Sequence, residues 1–113
     1  MRYLLALLIL LTVPTFAQNQ HELNARALQD YEAADRELNQ VWQELKPQLG
    51  ASVREKLVDA QLIWIKYRDA EAKARQALYE GGSMAPMIYY ASMATTTRAR
   101  TAVLREWLEE VSH

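Results

Sequence analysis

The stretch Ala60-Gln61-Leu62-Ile63-Trp64-Ile65-Lys66-Tyr67-Arg68-Asp69-Ala70 decides the fold. It is the most hydrophobic part of the chain beyond the N-terminal segment, and it sets an Arg-Asp pair inside a helical pattern. At about 100° per residue, Leu57, Trp64, Arg68 and Arg75 fall within about 20° of one another. An arginine therefore shares a stripe with a tryptophan and a leucine. Such a stripe is either a core with a built-in polar lock or the start of a site.

Outward from this stretch, Val53, Leu57, Ala60, Trp64, Tyr67, Glu71, Ala74 and Leu78 alternate spacings of four and three. That period predicts a helix over 53–79. Ser52 with Glu55 three residues on reads as a capping box at its start. Gly81 suits the residue just past its end. The apolar residues off this seam, Leu62, Ile63 and Ile65, predict that the helix touches two neighbours and lies at the centre.

Upstream, Leu23, Ala27, Tyr31, Ala34, Leu38, Val41 and Leu45 form a narrow apolar seam, widened by Leu28 and Trp42. It predicts a helix over 22–46, ended by Pro47 and Gly50. Downstream, Ser83 reads as an N-cap. Met87, Tyr90, Ala94, Thr97, Thr101, Leu104, Leu108 and Val111 predict a third helix over 84–110. Three amphipathic helices with short connections run up, down and up. The fold class is all-α, an antiparallel three-helix bundle with one core.

The N-terminus reads differently. Arg2, the apolar run Tyr3–Val13, Pro14 and then Thr15-Phe16-Ala17 have the pattern of a secretory signal peptide, residues 1–17, cut after Ala17. The run is far short of the roughly 20 residues of a membrane span. The expected domain is 18–113, periplasmic or secreted, with no stable membrane anchor after cleavage. Its removal takes one arginine and moves the net charge from −1 to −2.

Composition excludes several functions. The 113 residues are half hydrophobic and near neutral, without the basic stripe of a nucleic-acid binder. There are no cysteines, hence no disulfide, thiolate metal site or cysteine nucleophile. His21 and His113 stand near the ends, so no histidine pair has metal-ligand spacing. Asp30, Glu32, Glu37, Glu109 and Glu110 read as solvated helix faces. Neither an enzyme nor a cofactor is expected.

Two clusters remain as candidate sites. Counting residues back from the turns brings Asp35, Arg68, Glu71 and Arg98 to one level, as a polar lock or a pocket for an anionic or sugar-like ligand. Gly81, Gly82, Ser83, Met84, Ile88 and Tyr89 form a turn that reads as a partner contact. Against that stand a plain helix reversal and an apolar cover for the bundle end.

With these residues in view, the chain resembles the LprI-type lysozyme-inhibitor family of exported bacterial proteins. The resemblance is carried by Glu22-Leu23-Asn24, Ala34-Asp35-Arg36-Glu37-Leu38-Asn39, Ala60-Gln61, Trp64-Ile65 and Tyr67-Arg68-Asp69-Ala70. Gly81-Gly82-Ser83-Met84-Ala85-Pro86-Met87 and Thr97-Arg98-Ala99-Arg100-Thr101 complete it. It implies a protein that binds a lysozyme-type muramidase by occlusion. Many family members carry cysteines, and here Arg26, Ala72 and Ser92 stand at what resemble those positions. A structural or accessory envelope protein forming a helical assembly through Leu62, Ile63, Tyr89 and Trp107 is the other reading. The sequence leaves the oligomeric state open.

Overall fold

The computed structural model describes the backbone of residues 16–113 and the side chains of residues 19–113. Most of the expected signal peptide, residues 1–17, lies outside the described residues. Three helices follow in order: α1 (Phe16–Leu45), α2 (Ala51–Ala77) and α3 (Ala85–Val111), with a short 3-10 turn at Lys46–Gln48. Among the described residues there is no strand and no helix long and apolar enough to cross a membrane.

The helices run up, down and up. Asp30 meets Arg98 and Glu37 meets Arg105, each pair 68 residues apart, so α1 and α3 are parallel and in constant register. Gln61 meets Arg100 and Gln76 reaches Ala85, so α2 runs antiparallel to α3. The central helix is α3, which packs along both neighbours, while the α1 and α2 backbones scarcely approach each other. This corrects the expectation that the tryptophan helix lies at the centre. The cause is side-chain size: α3 buries Ser92, Ala94, Thr97 and Thr101, small residues that admit a close neighbour. Toward α1, by contrast, α2 presents Trp64 and Arg68, which hold the two backbones apart.

The seams of α1 and α3 are largely as expected. Ala34, Leu38, Val41, Leu45, Ala94, Thr97, Thr101 and Leu104 are all buried. The seam of α2 is not. Val53, Tyr67 and Leu78 are exposed, and the buried positions are Leu57, Gln61, Arg68 and Ala72, with Trp64 half-buried. The stripe through Leu57, Trp64 and Arg68 is thus on the inner face, with polar Gln61 beside it, while Arg75, expected on the same stripe, is exposed.

Helix ends also differ from expectation. α2 starts two residues early, with Gly50 at the N-cap in an extended conformation (φ −64°, ψ 156°) and no side-chain cap. Ser52 is already in the first turn, where its hydroxyl accepts from Lys56 Nζ at 3.3 Å instead of forming a capping box with Glu55. Leu49 plugs the end of the core, and Arg54 Nη2 donates to its carbonyl at 2.9 Å. Similarly, Met84 rather than Ser83 is the N-cap of α3, because the Ser83 carbonyl is taken by Asn24 Nδ2 at 3.3 Å. α1 begins before residue 22. Its early turn is anchored by buried Gln20, which donates to Asn24 Oδ1 at 2.9 Å and reaches Met87 Sδ at 3.8 Å.

Thr97 sits at the centre of α3, fully buried, with a hydroxyl that has no partner among the described residues. A buried donor left unmade costs about 1–3 kcal/mol. Thr97→Val keeps the branched shape and removes that hydroxyl, so it is expected to raise stability by about 1 kcal/mol in urea denaturation.

Candidate functional site

Arg68 is the centre of the polar arrangement. Its side chain is 10% exposed, and its guanidinium lies 5.1 Å from the Trp64 ring centroid and 5.5 Å from that of Tyr31. Trp64 is one turn back on the same helix, and Tyr31 comes from α1. A guanidinium is weakly hydrated and planar, so it tolerates a place over two rings better than an ammonium would. Two carboxylates flank it: Asp69 Oδ1 at 3.1 Å from Nε, and Asp35 Oδ1 at 3.7 Å from Nη1. Asn39 donates to the other Asp35 oxygen at 3.4 Å. The aromatic row continues from Tyr31 to Tyr90, stacked at 6.3 Å, and on to Tyr89, edge-on at 5.2 Å. Burial raises the Tyr31 phenol above its usual value, with the Arg68 charge opposing that shift.

Of the four residues expected at one level, Asp35 and Arg68 meet, and Glu71 and Arg98 do not join them. Glu71 pairs with Arg75 at 3.3 Å along its own helix. Arg98 grips Asp30 through both terminal nitrogens, at 3.0 and 2.5 Å, on the outer α1–α3 seam. The cause is register. By interpolation between Gln61–Arg100 and Gln76–Ala85, the α3 residue opposite Arg68 is Met93, about one turn before Arg98.

The pairs Asp30–Arg98 and Glu37–Arg105 were missed because each acid looks solvated on its own helix. The readable signal was their common spacing: two acids seven apart on α1 and two arginines seven apart on α3. The Arg98 hydrogen bond pulls the Asp30 carboxyl below its usual range. Its unfolded pKa is therefore the higher of the two, so this contribution is complete above about pH 4 and is lost as pH falls through the folded value. Both groups are exposed, so the contribution is below about 1 kcal/mol. Asp30→Asn is expected to flatten the acid limb of a stability–pH curve slightly and leave stability at pH 7 within about 1 kcal/mol.

The turn between α2 and α3 is tightly built. Successive short hydrogen bonds link Leu78 to Arg75, Tyr79 to Gln76, Glu80 to Ala77 and Gly82 to Tyr79. Gly81 takes φ +81°, a left-handed conformation in which a side chain would be strained. A Cβ on Gly82 would meet the Tyr79 carbonyl oxygen at 3.2 Å. Asn24 ties this turn to α1, which brings Glu22-Leu23-Asn24 and Gly81–Met87 to one end of the bundle. Gly81, Gly82, Ser83 and Met84 are exposed, while Ile88 and Tyr89 are half-buried. Sequence reasoning placed Leu78 in the core, yet it is 79% exposed and stands beside the turn with exposed Tyr79.

Two grooves flank α2. One, toward α3, is about 460 Å³ and is lined by Tyr67, Arg75, Tyr79, Ser92 and their neighbours. The other, toward α1, is about 390 Å³ and includes Asp35, Trp42, Trp64 and Arg68. Among the described residues, no cluster of His, Asp and Glu has the arrangement to hold a metal ion.

This is a small helical bundle with a closely hydrogen-bonded, apolar-tipped turn and an arginine set over two rings. The chain belongs to the family described as lysozyme inhibitor LprI, which matches residues 14–104. An uncharacterized protein of Rhizobium meliloti (strain 1021), R02472, is 36% identical over 132 residues, spanning 96% of this chain and 95% of the relative. No solved structure matches the chain.

Proposed function

We propose that the protein is an exported binding protein, without catalytic activity, that blocks a lysozyme-type muramidase by occlusion. The α2–α3 turn is the contacting element. Family membership supports the choice of partner. The observation that carries the choice of surface is the exposure of Leu78 (79%), Tyr79 (42%) and Met84 (36%) around the left-handed Gly81. Apolar side chains clustered on a preorganised turn lose little entropy on binding and mark interaction sites.

A turbidity assay on bacterial cell walls tests this with several lysozyme types. The expected result is slowed lysis by the wild-type protein. Leu78→Arg and Met84→Arg, both at exposed positions, should lose inhibition at least tenfold, about 1.4 kcal/mol, while unfolding normally. Absence of inhibition by the wild type at tens of micromolar, a range of about 6 kcal/mol in affinity, would sink the inhibitor reading.

The second reading is a helical envelope assembly. It is favoured by Leu62 (56%) and Ile63 (69%), exposed on α2 away from the turn. Light scattering separates the two readings, since a monomer at high concentration removes the assembly.

A further inference from the structure

The α1–α2 groove is far less apolar than its neighbouring core. Trp42 is half-buried: it packs against the core cluster and also forms one wall of this groove. Asp35, Asn39, Lys46 and Gln61 add polar groups along the same groove. Gln61 Oε1 is held by Arg100 Nε at 2.5 Å, which leaves the amide nitrogen as a donor without an acceptor among the described residues. The Asp35 charge is met by Arg68.

This composition selects a ligand. The lining is amphipathic: Leu38, Val58, Trp64 and Ile65 add apolar wall to Trp42, and a hydrocarbon would use that wall but none of the polar groups of Asn39, Lys46 and Gln61. A multivalent anion would find two cations in the groove, Lys46 and Arg68, but Arg68 is already met by Asp35 and Asp69, and the Asp35 charge opposes a second anion there. A pyranose ring suits both needs: its C–H face lies on an indole, and its hydroxyls meet amides, a carboxylate and an ammonium. We propose that the α1–α2 groove binds a neutral oligosaccharide, with one sugar ring on Trp42 and its hydroxyls on Asn39, Lys46 and Gln61. The volume of about 390 Å³ is within the range of small-ligand sites.

The test is an NMR titration of the purified protein with chitotriose and, separately, maltotriose, following the indole N–H signals. Trp107 is not among the groove residues and serves as the internal reference. The expected result is a saturable shift of the Trp42 signal with either sugar and a static Trp107 signal. Asn39→Ala and Lys46→Ala, both at exposed positions, should each weaken binding about fivefold, the loss of one hydrogen bond. No shift with either sugar up to about 10 mM, a Kd range of only a few kcal/mol, would overturn the proposal. So would binding that both variants leave unchanged, or an equal shift at Trp107. The titration contains no muramidase, so its outcome is separate from that of the inhibition assay.

Discussion

Leu104→Ala is expected to lower the unfolding free energy by about 3–4 kcal/mol and the melting midpoint by roughly 15–25 °C. Leu104 is fully buried, on the face of α3 that meets a cluster of Leu38, Val41, Leu45, Leu49 and Leu57. Trp42, Trp64 and Trp107 close over that cluster. Truncation removes the transfer energy of the lost methyls and leaves a cavity. The site cannot collapse easily, because all three helices and the Leu49 plug converge there. Without a disulfide to limit the unfolded chain, a domain of this size has a stability of only about 5–10 kcal/mol. The substitution therefore removes a large share of it. Chemical denaturation followed by circular dichroism measures the change. A loss below about 1 kcal/mol would mean that the core is not centred on α3.

Arg68→Ala is the second large effect, with an expected loss of about 2–3 kcal/mol. Most of it comes from the lost contacts with the Trp64 and Tyr31 rings and from the void left by a side chain that is 10% exposed. The ion pairs contribute less, since Asp35 and Asp69 are each 40% exposed and water screens them. Two comparisons separate the causes. Asp35→Asn should cost under about 1 kcal/mol. Arg68→Lys keeps the charge but not the planar stack, so it should recover only a minor part of the loss. A double-mutant cycle on Asp35 and Arg68 is expected to give a coupling of about 0.5–1 kcal/mol. Full recovery by lysine would show that charge, and not stacking, secures Arg68.

Much of this architecture was readable from periodicity. The three helices, their order and the seams of α1 and α3 follow from the four-and-three spacing of apolar and small residues, because there the residues on that spacing are largely the buried ones. On α2 that rule fails. Gln61 and Arg68 occupy buried positions, while Val53, Tyr67 and Leu78 face water. A seam drawn through hydrophobic residues alone is therefore rotated from the true inner face. The wheel angle shared by Leu57, Trp64 and Arg68 did carry the right face, and only the partner of Arg68 depended on register. Register across a turn is sensitive to how many residues the turn consumes. The α2–α3 connection takes Leu78–Met84 in successive tight turns, so level counting misplaced Arg98 by about one helical turn. The central role of α3 was hidden for a related reason. It rests on Ser92, Ala94, Thr97 and Thr101, which matter because they are small and not because they are hydrophobic.

The two sequence clusters first marked as sites also separated in character. The Arg68 guanidinium lies over the Trp64 and Tyr31 rings and is flanked by carboxylates, which fits a positioning role between α1 and α2. The turn keeps its apolar tips exposed and its backbone constrained. The proposed contact with a macromolecular partner is therefore placed at the turn and not at Arg68.

The most direct measurement is the size and stoichiometry of a mixture of the purified protein with a panel of lysozymes, by size-exclusion chromatography with light scattering. A stable one-to-one complex with at least one lysozyme type is expected, abolished by Leu78→Arg and retained by Arg68→Lys. Elution of the wild-type protein apart from every lysozyme tested, or a complex indifferent to Leu78→Arg, would contradict it.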